Sequence, residues 1–319
     1  MTLLQRAICD KNSQLFEELF TASAMSEPNF DDEENTGYHY AASFYNCDIF
    51  EIVSKQSGFI AGISLKNAEG ATPLTLAAKK GNYGAMKLLL DFGADIECKD
   101  NFGRTPLINA VHGGHTQTIE LLLQNNATVN CKDKDGLTPL AHAALMNHLK
   151  TVRILFSIFI FEKKLVNLKN NKGWTPLTYA ASEGHTEIVN LLLDYKANIN
   201  SKDKDGWSPL THAVFQGHQS TINFLMSRGA NVNARTSHFL KELTVQRQKE
   251  KEHFIKYLDS QFGNSKETNN SNKFHSTFAT TADSTETGNA LKTKEKETNS
   301  ASLTFWEYRI QPILGVFGK

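Results

Sequence analysis

Between Thr105 and Thr138 the apolar residues fall into two short helical phases separated by glycine. Leu107, Ala110 and Val111 mark one face of a first helix. Ile119, Leu122 and Leu123 give the i, i+3, i+4 stripe of a second. Thr105 stands at the N-cap, where its hydroxyl can accept from a free N–H. Pro106 follows at the first helical position, where a missing N–H costs nothing. Gly114 ends the first helix in the left-handed region, and Thr116 opens the second. Ala127, Val129 and Asn130 lead out to Asp133-Lys134-Asp135-Gly136, a tight turn by composition. The pattern predicts a helix–turn–helix unit whose small inner residues allow close helix approach.

The unit recurs. Thr-Pro-Leu stands at Thr72, Thr105, Thr138 and Thr175, and Ser-Pro-Leu at Ser208, in steps of 33, 33, 37 and 33 residues. A fixed period of this length marks a stacked array. Its slots fill in register. The helix-ending slot holds Gly81, Gly114, Asn147, Gly184 and Gly217, and asparagine is the next residue to tolerate left-handed backbone. The turn slot holds Gly70, Gly103, Gly136, Gly173 and Gly206. The longer step places four extra residues within Ser157–Glu162, where Ile158–Phe161 is unexpectedly apolar. It predicts a second helix longer by about one turn, with the apolar stretch either self-packed or an exposed contact site.

The ends depart from the pattern, as terminal units must when one face meets water. The organisation reads as a capping repeat over 1–35, a degenerate repeat over 36–71, and repeats over 72–104, 105–137, 138–174, 175–207 and 208–240. A charged cap follows over 241–260, as a helix pair or one bent helix. Residues 261–302 have the Asn, Ser, Thr, Lys and Glu composition of a disordered linker. In the degenerate unit Gly37 replaces the proline, and Ile49, Phe50 and Val53 supply the second face. The acidic run Asp31–Glu34 reads as a solvated loop. The apolar tail 303–319, with Trp306 and Tyr308, either docks on the array, serves as a linear motif, or is an incidental end.

Charge and chemistry narrow the function further. Thirty-four basic residues balance 34 acidic ones, which argues against nucleic acid or an anionic membrane as partner. No run approaches the length of a membrane span, and no signal peptide is evident. Cys98 and Cys131 share one repeat slot, and with Cys9 and Cys47 read as reduced thiols. His115, His148, His185 and His218 recur with the period. Stacked units lie about 10 Å apart, too far for these to share a metal, so they read as hydrogen-bonding bridges between neighbouring loops. His112-Gly113-Gly114-His115 straddles a helix end with one histidine free, and a metal site is not expected there. Phosphate-loop, nucleophile-elbow and zinc-protease motifs are missing.

The words Gly-x-Thr-Pro-Leu-x-x-Ala-Ala, Gly-His, Leu-Leu-Leu and Gly-Ala-x-Val-Asn resemble the ankyrin repeat, most closely over Gly173–Val189. The resemblance implies an all-α ankyrin-repeat solenoid of helix-turn-helix units with β-hairpin or turn loops and a disordered C-terminal tail. It also implies a non-catalytic, cytoplasmic scaffold that needs no cofactor, works as a monomeric array and binds partner proteins through its concave face and loop tips. A nuclear location and a regulatory role beside a separate catalytic chain stay open. Carried over by register, the binding positions include Phe102, Arg104, Leu137, Leu145, Met146, Trp174, Trp207 and Phe215. One departure stands out. The histidine after Thr-Pro-Leu is replaced by Thr75, Ile108, Ala141, Thr178 and Thr211, which predicts lower stability per repeat.

Overall fold

The computed structural model describes residues 33–43, 54, 59–158 and 165–262. The expectations for the N-terminal cap before residue 33, Ile49, Phe50, Val53, Cys9, Cys47, the insertion beyond Ile158, the linker beyond Phe262 and the apolar tail lie outside them. Among the described residues there are thirteen α-helices, one 3-10 turn at Leu165–Asn167 and no strand. The helices are α1 (Gly37–Ser43), α2 (Phe59–Gly62), α3 (Pro73–Lys80), α4 (Tyr83–Asp91), α5 (Pro106–Gly113) and α6 (Thr116–Gln124). They continue as α7 (Pro139–Leu145), α8 (Leu149–Ile158), α9 (Pro176–Ser182), α10 (Thr186–Asp194), α11 (Pro209–Gln216), α12 (Gln219–Ser227) and α13 (Ala234–Phe262). The chain divides into two compact units, Met1–Lys249 and Glu250–Lys319, and α1 to α12 lie in the first.

Each first helix starts as its sequence dictates. The hydroxyls of Thr72, Thr105, Thr138, Thr175 and Ser208 accept from the N–H three residues on, and proline follows each. Thr178 and Thr211 return the bond to the backbone N–H of Thr175 and Ser208, at 3.3 and 3.4 Å. These two capping boxes supply the hydrogen bond that the missing histidine was expected to lose. The histidine itself survives in the degenerate unit. His39 Nδ1 lies 2.7 Å from Thr36 Oγ1, and its Nε2 donates to Ala71 O at 2.9 Å.

The helix-ending slot is left-handed throughout, from Gly81 at φ 76° to Asn147 at 59°. At Gly114 a second constraint acts, because an added Cβ would lie 2.7 Å from the His148 ring. Asn147 answers only the backbone requirement.

The units stack in two rows. First helices pack in succession through Leu107, Ala110 and Val111 and their equivalents Leu140, Ala143, Ala144, Leu177, Ala180 and Ala181, all buried. The second-helix row buries Ile119, Leu122, Val152, Leu155, Val189, Leu192, Ile222 and Leu225. Loops add periodic cross-links. Backbone N–H groups of Asn101, Lys134, Asn171 and Lys204 donate to carbonyls of the preceding loop, at Glu69, Phe102, Asp135 and Lys172. The ammonium groups of Lys66, Lys132 and Lys169 reach the carbonyls of Lys99, Lys169 and Lys202. As predicted, His115, His148 and His185 bridge units: each Nε2 meets a carbonyl at the end of the preceding first helix, on Lys79, His112 and Leu145, at 3.0 to 3.1 Å. That satisfies acceptors a helix C-terminus leaves open.

For the C-terminal cap the expectation was a helix pair or one bent helix. It is one helix, α13, and it begins at Ala234 rather than near 241. Counting on from Gly206, the turn slot holds Phe239, inside this helix. Asn233 caps the helix, its Oδ1 accepting from Thr236 N–H at 2.8 Å. No glycine or proline interrupts Ala234–Phe262. Cys98 and Cys131 are free thiols drawn into the cap network, with Sγ 3.1 Å from Thr72 Oγ1 and 3.3 Å from Thr105 Oγ1. Burial pushes both thiols up, away from the reactive thiolate.

Candidate binding face

Two features of each unit meet along one edge of the array: the residue just before the N-cap and the end of the first helix. The first slot holds Ala71, Arg104, Leu137, Trp174 and Trp207; the second holds Lys79, His112, Leu145, Ser182 and Phe215. Beneath them, in the four units whose first helices begin at Pro106, Pro139, Pro176 and Pro209, runs a polar pair. A loop side chain accepts turn N–H groups through one oxygen and bonds the first helix with its other polar atom. The pairs are Asp100 with Asn109, Asp133 with His142, Asn170 with Tyr179 and Asp203 with His212, at 2.7 to 3.2 Å. The chemistry covaries: where asparagine replaces aspartate, its amide donates to a phenol.

The pairs set the electrostatics. Burial alone would raise the Asp133 carboxyl, but hydrogen bonds from His142 and the Leu137 N–H hold it below its ordinary value. Burial lowers His212 against the pull of Asp203, and burial pushes the Tyr179 phenol up. His112 is lowered to about 4, first by burial, then by His142 and the positive charge of Arg104.

The predicted binding residues separate into two groups. Trp174 packs on Tyr179 and on His212 of the next unit, with centroids 5.0 and 4.3 Å apart. Trp207 meets His212, Phe215 and Phe239 at 5.0, 5.2 and 5.6 Å, and Phe215 meets Phe239 at 5.5 Å. This cluster is half-buried and serves the cap, with the Arg235 guanidinium also over Trp207. Early in the array the side chains are freer. Phe102 is 53 % exposed beneath the Arg104 guanidinium, and Met146 is 39 % exposed. Leu145 is half-buried and its carbonyl is taken by His185. Leu137, also named as a binding position, is buried at 8 % exposure.

His142, His212, Phe239 and the aspartates beneath them were missed by the sequence reading. A recurring nine-residue separation between loop and helix polar residues, Asp133 to His142 and Asp203 to His212, was the available signal. Among the described residues no group of three or more His, Cys, Asp or Glu could hold a metal ion, and no helix is long and apolar enough to cross a membrane.

Three copies of the family model for ankyrin repeats match the chain, over residues 4–100, 85–164 and 157–236. No individual curated protein matches it. The matches span more than half of the chain and coincide with the helix pairs, the left-handed helix ends and the histidine bridges, and the chain therefore belongs to the ankyrin-repeat family.

Proposed function

We propose that this chain is a non-catalytic scaffold or adaptor that binds partner proteins through the loop tips and first-helix ends of the repeats, about residues 72–235. Ankyrin repeats are in general protein-interaction modules and are typically non-catalytic. The observation that carries the reading here is selective exposure. The tip amides of Asn101 and Asn171 are consumed by bonds to the preceding unit, yet Phe102 and Met146 stay open to solvent. Exposed aromatic and methionine side chains beside an arginine are the residue types that dominate interface energetics.

The aromatic cluster around Trp207 packs on α13. Replacing Trp174, Trp207 and Phe215 together would remove packing from α13 and confuse binding with folding. Phe102→Ala with Met146→Ala makes a cleaner test, because neither side chain is buried. Affinity enrichment from the native cell with the full chain should recover partners that the double variant recovers about tenfold less, at unchanged circular dichroism. Equal recovery by both proteins would overturn the assignment of the face.

A further inference from the structure

We infer that Arg104 and His112, seated beside His142, form a receptor for a carboxylate, the side chain of an aspartate or glutamate in an acidic partner segment whose neighbouring apolar residue lies on Phe102. The inference rests on the binding-face reading above and names its chemistry.

Periodicity makes these three residues conspicuous. In the later units the slot before the N-cap and the slot at the first-helix end are closed by aromatic packing. Trp174 lies on His212, and Trp207 lies on Phe215. The equivalent positions in the 105–137 unit and its neighbour are Arg104, His112 and His142. The His112 and His142 rings meet edge to face at 5.5 Å. Arg104 is close enough for its charge to act on both His112 and Asp133.

Nitrogen replaces carbon in this nest, and the nitrogens are unanswered. Arg104 Nε, His112 Nδ1 and His142 Nδ1 are buried without a hydrogen-bond partner among the described residues. The other ring nitrogen of His142, Nε2, is held by Asp133 Oδ2 at 2.9 Å, and His142 itself is 2 % exposed. Buried polar atoms are nearly always paired. The Arg104 Nε–H wants an acceptor, as does His112 Nδ1 when it carries the ring proton, whereas His142, which gives its Nε2–H to Asp133, presents Nδ1 as a lone pair at the edge of the nest.

The nearby charges select the acceptor. Lys79 is paired with Glu69 at 3.3 Å, and Asp100 is engaged by Asn109 and by the turn. One guanidinium with its fork edge matches a carboxylate. A dianionic phosphate would meet a single arginine together with the buried Asp133 carboxylate, a poorer balance of charge. Phe102, stacked under the guanidinium and exposed, offers the apolar residue beside the acid a place to lie.

Selection of short random peptides on the intact chain tests this. The selected peptides should carry Asp or Glu next to an apolar residue. Their affinity, by fluorescence anisotropy, should fall about tenfold or more on Arg104→Gln and on Glu→Gln in the peptide, and the two losses should not add when combined. Arg104→Lys, which keeps the charge without the fork, should recover only part of the loss. Acetate titrated into the full chain should shift the Arg104 Nε–H resonance, assigned with the lysine variant. Peptides without acids, or a phosphoserine version that binds better than the glutamate one, overturn the carboxylate. Peptides lost by Phe102→Ala but indifferent to Arg104→Gln overturn this receptor and leave the face standing; no peptide selected at all counts against both.

Discussion

His112 shows how one residue ties stability to pH. The ring is half-buried beside His142 and Arg104, and its proton affinity falls from an ordinary 6.5 to about 4. The sign follows from linkage. Above about pH 6.5 the ring is neutral in folded and unfolded chains alike, and its contribution is fully present. As pH falls toward 4 the unfolded chain takes up a proton that the folded chain refuses, so stability declines. The full shift corresponds to roughly 3 kcal/mol, and partial exposure reduces the expected loss to about 1–2 kcal/mol. Urea unfolding at pH 7 and pH 4.5 should show the decline in the natural chain. His112→Asn should show a smaller one, since it keeps the backbone carbonyl that His148 uses. An identical decline in the variant would move the effect elsewhere. His212, also lowered by burial, acts with the same sign, and Asp133 adds its own loss only below the ordinary carboxylate range.

At the scale of elements, α13 is where the chain departs from the repeat. Phe239 occupies the slot that Gly206 fills one repeat earlier, where φ is 78°. The helix runs on through it, and the side chain closes over Trp207 and Phe215. Phe239→Ala should therefore lower stability by about 2 kcal/mol, less than the 3–5 of a fully buried aromatic because the ring is half-buried. Trp207 emission should shift to the red. An unmoved emission maximum, with stability unchanged, would show that the ring contributes nothing to the cap. Here the limits of sequence reading are concrete. Capped helix starts, left-handed helix ends and histidine bridges were legible because each is a local word repeated in register. Phe239 in the glycine slot was equally countable and was overlooked, as was His39, hidden behind a glycine-for-proline change. The Arg104, His112 and His142 nest was not legible. Its members come from a loop, a helix end and the next unit, and only stacking brings them together.

For the array of repeats, the question is whether the 138–174 unit divides it. Its four-residue insertion and Asn147 set it apart from the other repeats. The cross-links nevertheless continue through it: Lys132 to Lys169 O at 3.0 Å, Asn171 N–H to Asp135 O at 2.9 Å and His185 to Leu145 O at 3.1 Å. On the second-helix row Phe156 stacks on Tyr195 with centroids 3.8 Å apart. With neighbour coupling of this kind at every step, the natural repeats should unfold together. The joint becomes visible only when its own core is removed. Leu155 is fully buried in α8, and Leu155→Ala should cost about 2–5 kcal/mol. That loss falls on both interfaces of the middle unit, so the units before it and after it should then unfold separately. In a Trp306→Phe background only Trp174 and Trp207 emit, and both report the later units. Urea transitions by tryptophan emission and by far-ultraviolet circular dichroism should superimpose for the parent and part in Leu155→Ala. Superimposed curves in the variant would mean that coupling outlasts the loss of a unit's core, and that the array behaves as one cooperative body rather than as a chain of neighbours.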